Sequence, residues 1–204
     1  MPKQNPKTHM DILSAAEEVF AHKGYGGART AEIAKAAGVN KALIHYYFTS
    51  KEQLYHEVMD RLLFDFIQIS QDMLKQGLAG RELVEGLFDA LFNYAAKHKH
   101  FARLTTVESA GGQSRYVENM LRNFFKPLFD RAVDFIISGQ SKGEIKSDVD
   151  ARQFIITIYL AILEYFTDSR FIAGLLSRDP TSKKILNERK AHLKRLLMTT
   201  LYKG

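Results

Sequence analysis

His45, Tyr46, Tyr47 and Phe48 stand in one unbroken run, with Lys41 and Asn40 shortly before it and Lys51 shortly after. A phenol or an imidazole hydrogen-bonds a phosphate oxygen while its ring rests on a sugar, and an ammonium at either edge adds charge attraction. That is the chemistry of gripping a nucleic-acid backbone, not of making or breaking bonds. The competing reading is a helix whose rings simply fill a core or a domain junction.

Bond-making chemistry finds little support elsewhere in the chain. Cysteine is absent, which removes thiolate nucleophiles, thiolate metal sites and disulfides together. Glu52 with His56 and Glu188 with His192 are spaced one residue too far for the Glu-x-x-His pairs of a di-iron bundle. No His-Glu-x-x-His, phosphate-binding glycine loop or nucleophile elbow occurs. No catalytic residue, no metal and no cofactor is expected.

Helices must position whatever these residues touch, because apolar residues recur at helical spacing along most of the chain and no strand pattern is convincing. Ile12, Leu13, Ala16, Val19 and Phe20 line one side of a helix over 9–22, with Thr8 and Asp11 in the relation of a capping box. Ile33, Ala34 and Ala37 continue the spacing after Thr30, whose hydroxyl suits a helix start. Gly38 ends that helix, since a left-handed residue costs glycine least. Asn40 caps the next helix, and Ser50-Lys-Glu-Gln53 reads as a capping box for a helix running to about Lys75. Further amphipathic runs cover 81–97, 101–109, 114–140, 150–177 and 182–202, with Gly- or Pro-containing breaks between them. Pro127 lacks an amide N–H and is expected to bend the 114–140 helix near its middle.

Counted from Thr30, the fourth and fifth positions are Ile33 and the small Ala34, the ninth is Gly38, the tenth is Val39 and the fifteenth is Ile44. These are the steric requirements of two helices joined by a tight turn, a helix-turn-helix. Projected at about 100° per residue, Ile44, Tyr47 and Phe48 fall on one side and face the Ile12, Phe20 and Ile33 side of the bundle. Ala42, Leu43, His45 and Tyr46 fall on the other, with Lys41 at the exposed first turn.

Composition agrees with a folded, polyanion-binding chain. The 204 residues are 46% hydrophobic, enough to bury a sizeable core in one or two domains. The longest apolar run, 154–163, is too short to span a bilayer, and the start lacks a secretory signal, so a cytoplasmic location without membrane contact is expected. The net charge of +6 is uneven: residues 1–51 hold seven basic against four acidic residues, 181–204 hold seven against one, and the middle is mildly acidic.

Ile12-Leu13, Ala15-Ala16, Val19-Phe20, Gly24-Tyr25, Thr30, Ile33-Ala34, Ala37-Gly38-Val39, Tyr46-Tyr47-Phe48 and Ser50-Lys51-Glu52-Gln53-Leu54 together resemble the N-terminal DNA-binding domain of the tetracycline-repressor (TetR) family. The resemblance implies an all-α fold: a three-helix helix-turn-helix domain over 1–50 and a helical ligand-binding and dimerisation domain over 51–204. It implies a homodimeric transcriptional regulator, usually a repressor, that leaves a palindromic double-stranded operator when a small-molecule effector binds. Carried over, Arg29 and Thr30 would meet phosphate. Asn40, Lys41, Ala42 and Leu43 would face the major groove, and His45, Tyr46, Tyr47 and Lys51 would hold the backbone or nearby base edges. Family members commonly have glycine and a small polar residue where this chain has Ala42-Leu43, and a tyrosine where it has His45; Leu43 is expected to touch a thymine methyl. The alternative is an all-α ligand-binding or interaction module whose first helices meet a protein partner.

The C-terminal part is less informative. Phe66, Phe88, Phe92, Tyr116, Met120 and Phe124 are the candidate effector contacts, although such stripes more often belong to a core. Phe154–Phe166 is apolar on nearly every side, and the tail helix adds a leucine stripe. Ile155, Ile158, Tyr159, Ile162, Leu193 and Leu197 are therefore expected at a twofold four-helix contact. Glu164, inside the apolar stretch, is expected to pair or reach solvent.

Overall fold

The computed structural model describes residues 5–75, 77–98, 100–104 and 115–203, excepting the side chains at 70, 73, 74 and 115–117. The expected helix beyond Leu104 and the Tyr116 side chain lie outside the described residues. Among these residues every regular element is helical: α1 (Pro6–Gly27), α2 (Thr30–Ala36), α3 (Lys41–Tyr47), α4 (Lys51–Lys75), α5 (Gly80–Lys97), a short α6 at 100–104, α7 (Arg115–Met120), a π-helical turn (Leu121–Phe125), α8 (Lys126–Ser141), α9 (Ala151–Thr167), α10 (Ser169–Leu176) and α11 (Lys183–Leu201).

Local chemistry explains where the first helices begin and end. α1 starts earlier than the expected 9–22 because Asn5 accepts the Lys7 amide at 3.0 Å and Pro6 sits at the first helical position, where a missing N–H costs nothing. The Thr8–Asp11 box is thus not the cap. Gly24, at φ 68, kinks the end of α1. Thr30 lies inside α2, and Arg29 occupies the cap position in extended backbone, with no side-chain cap bond. Gly38 adopts φ 66, and an added Cβ would meet nothing within 4 Å, so glycine serves the backbone angle and not a tight fit. Asn40 accepts the Leu43 amide at 2.8 Å, as a helix cap should. Ser50 accepts the Gln53 amide at 3.0 Å, but Gln53 Oε1 returns to the Thr49 amide and hydroxyl, one residue before the expected partner.

Those helices converge on one core. Ile12, Ala16, Phe20, Ile33, Ile44 and Phe48 are sealed together with Leu54, Val58 and Met59 from the first turns of α4. Each such large side chain contributes about 1.5–3 kcal/mol on burial. The same cluster runs on without a gap through α4 and α5 to Phe92, Ile162, Leu193 and Leu197.

Two expectations shift in the C-terminal part. Pro127 is preceded by a π-helical turn in which the Lys126 amide bonds Leu121 O, so the helix widens before the proline ring. The 150–177 run divides into α9 and α10 at Asp168, whose backbone leaves helical geometry.

Of the residues expected at a twofold contact, Ile162, Leu193 and Leu197 are buried within the chain, because α9 turns that side onto α5, where the Phe92 and Phe166 ring centroids lie 5.8 Å apart. Ile155, Ile158 and Tyr159 are half-buried, whereas Ile156 and Leu160 on α9 and Leu196 on α11 stand exposed. Glu164 is exposed in the chain.

Among the candidate effector contacts, Phe88, Phe92 and Met120 are sealed in the core, and Phe124 is exposed. Phe66 is half-buried, its ring centroid 5.8 Å from that of Tyr94 and 5.7 Å from that of Phe101.

Candidate nucleic-acid interface

α3 divides its side chains as the projection requires. Ile44 and, just past the helix end, Phe48 point inward, while Asn40, Lys41, Ala42, His45 and Tyr46 are exposed and Leu43 is half-buried. Arg29 is exposed and Thr30 half-exposed, beside the start of α2. The Tyr46 ring meets Tyr47 edge-on, with centroids 5.3 Å apart and planes at 85°. Asn40, Lys41, His45 and Tyr46 thus place donors, rings and a lysine on the exposed side of α3.

Two candidate contacts are already engaged inside the chain. The Tyr47 hydroxyl accepts the Asn5 amide at 2.8 Å and donates to the Asn5 carbonyl at 3.3 Å, fastening the start of α1 to the end of α3. Lys51 Nζ donates to the carbonyls of Tyr25 at 2.7 Å and Ala28 at 3.1 Å, and lies 4.3 Å from the centre of the Tyr25 ring. Asn40 spends its side-chain oxygen on the Leu43 amide, which leaves its amide group as the donor it can present.

Behind that exposed side, charged groups tie α1 to the long helix that follows. His9 Nε2 lies 3.0 Å from Glu57 Oε2, its ring is stacked on Phe48 with centroids 5.0 Å apart, and Gln53 donates to Glu57 Oε1 at 3.1 Å. One end of Arg61 donates to Glu17 and the other to Ser14 Oγ at 3.4 Å, while His100 Nδ1 of α6 is 3.4 Å from the other Glu17 oxygen. Burial alone would raise the Glu17 pKa, but the His100 and Arg61 hydrogen bonds outweigh it and hold the carboxyl below its ordinary 4.5. The Tyr94 hydroxyl of α5 donates to Leu62 O at 2.6 Å, and burial raises its pKa. The sequence reading missed Asn5, though Asn5-Pro6 is a recognisable helix start. It also missed the Glu17 cluster, for which no local pattern exists.

Residues 12–58 match the bacterial regulatory proteins of the tetR family, and residues 81–196 match the tetracyclin repressor-like C-terminal domain. The chain belongs to the TetR family. It is a transcriptional regulator with a helix-turn-helix DNA-binding domain. It is 28% identical over 192 residues to the HTH-type transcriptional repressor NicS of Pseudomonas putida, covering 89% of this chain and 86% of that one. It is 26% identical over 152 residues to the fatty acid metabolism regulator protein of Bacillus subtilis, covering 74% of this chain and 77% of the relative. Among solved structures, the FadR regulator of Bacillus subtilis in complex with stearoyl-CoA shares the fold with a TM-score of 0.68 at 23% identity, over 95% of this chain and 99% of that one. Among the described residues of this TetR-family chain, no helix is long and apolar enough to cross a membrane.

Proposed function

We propose that this TetR-family regulator is a homodimeric repressor that grips a palindromic operator through α3 and releases it when a small molecule binds the helical C-terminal part. The observation that carries the reading is the division of α3, with Ile44 and Phe48 sealed and the Asn40–Tyr46 strip open to solvent. Arg29, Thr30, Lys41, His45 and Tyr46 meet phosphates or base edges, and Ala42 and Leu43 offer methyl groups to thymine. Repression is supported by the Pseudomonas putida relative, which is an HTH-type transcriptional repressor.

The homodimer forms through the exposed apolar positions Ile156 and Leu160 of α9 with Leu196 of α11. The two reading heads then take the spacing of successive major grooves, about 34–36 Å or a multiple. An effector that prefers another spacing shifts the population away from the DNA-bound form. The stearoyl-CoA seen in the Bacillus subtilis neighbour makes a long-chain acyl thioester the first compound to test.

The test is selection of genomic fragments by the purified protein, followed by binding titrations over a salt series. Enrichment of an inverted repeat, with log affinity falling linearly and steeply against log salt, is the expected result. Recovery of random fragments together with a flat salt response would remove the reading.

A further inference from the structure

We infer that Lys51 is a positioning residue, an ammonium clamp that ties the first turn of α4 to the corner between α1 and α2, and not a phosphate ligand. The inference rests on the DNA-binding reading above and assigns Lys51 a different task within it.

The geometry carries this on three contacts. Lys51 Nζ is 2.7 Å from Tyr25 O, 3.1 Å from Ala28 O and 4.3 Å from the centre of the Tyr25 ring. Two of its three protons therefore go to backbone carbonyls of the corner that follows the Gly24 kink, on either side of the turn into α2. The ring face adds attraction of the cation–π kind. The Tyr25 ring is itself packed on Phe20 and Tyr55, with centroids 6.2 and 5.1 Å away, so the anchor is built on the core. Lys51 is half-buried there, whereas Lys41 at the start of α3 is exposed.

The corner so held is the one from which the reader is hung. Gly24 kinks α1 at φ 68, and the Ala28 amide closes on Gly24 O at 3.2 Å. Arg29 and Thr30 follow directly, and Arg29 O accepts the Glu32 amide at 3.0 Å and the Ile33 amide at 3.2 Å. Further along, α4 is bound to the C-terminal helices through Tyr94, whose hydroxyl donates to Leu62 O. Through Lys51, a tilt of α4 reaches the start of α2 without passing through α3.

The test compares Lys51→Gln with Lys41→Gln in the full chain, using a random-sequence DNA duplex. Each phosphate contact contributes about 0.9 to the slope of log affinity against log salt. Lys41→Gln is expected to make the slope shallower by about that amount. Lys51→Gln is expected to keep the wild-type slope, weaken binding roughly tenfold through the lost charged hydrogen bonds, and speed amide exchange at Ala28, Glu32 and Ile33. A slope reduced by about 0.9 in Lys51→Gln overturns the clamp, as does unchanged exchange at those three amides. Should the wild-type protein fail to bind duplex DNA at all, the proposed function falls, while the exchange comparison still decides the clamp.

Discussion

Glu17 shows what one side chain can hold together. Its two oxygens meet Arg61 of α4 and His100 of α6, so a single carboxylate joins three helices. Its pKa is lowered on folding, which means the folded state binds its proton less readily than the unfolded chain. The stability it contributes is therefore present above the ordinary value of 4.5 and is lost as pH falls through the lowered folded value. Glu17→Gln is expected to lower stability at neutral pH and to flatten the acid limb of the stability curve, as read by urea midpoints measured across pH. An acid limb as steep as that of the wild type would show that the carboxylate is not the group responsible. This cluster was not legible in the sequence, because Glu17 and Arg61 are 44 positions apart and no local pattern links them. Gly38, Asn40 and Ile44 were legible because each answers to a neighbour a few residues away. The type and place of Lys51 suit a phosphate contact, whereas the carbonyls it meets lie 26 and 23 positions back, beyond any local pattern.

At the scale of the helix, the chain's interruptions carry more information than its regular stretches. Gly139 sits in α8 where an added Cβ would lie 2.6 Å from Ile145 Cδ1 and 2.8 Å from Cγ1, so glycine lets the following turn fold back over the helix. The Glu144 and Ile145 amides both bond Gly139 O, and Ile145 is buried. Gly139→Ala is expected to cost about 1–3 kcal/mol by overpacking, measured by chemical denaturation. Ile145→Ala is expected to cost less in the Gly139→Ala background than in the wild type, a coupling that a double-mutant cycle reads. A glycine-containing break is expected between the 114–140 and 150–177 runs, but nothing in the sequence signals this close approach, which depends on a side chain beyond the turn. Likewise Pro127 announced a disturbance, and the structure adds its form: a wide turn over 121–125 that avoids crowding the ring against the preceding carbonyls. The approximate ends of most helices were readable from periodicity; the separation of α9 from α10 was not, because apolar spacing continues across Asp168.

For the whole molecule, assembly depends on which apolar side chains remain outside. Leu160 is 45% exposed and Ile156 40% exposed on one helix, apolar area that the proposed twofold contact would take out of water. Leu160→Glu is expected to convert a particle of twice 23.3 kDa into one of that mass in sedimentation, with little change in helicity. A wild-type protein already sedimenting as a single chain would refute the proposed twofold contact. The two units expected from sequence, 1–50 and 51–204, are joined by a hydrophobic cluster to which α4 contributes Leu54, Tyr55, Val58, Met59 and Leu62. A fragment ending at residue 50 is therefore expected to lack fixed structure, with circular dichroism well below the helicity of its part of the whole. Anyone building a chimaera that transplants this reading head onto a different sensor must carry the opening turns of α4 with it, since the seam for cutting lies inside a shared helix and not at its start.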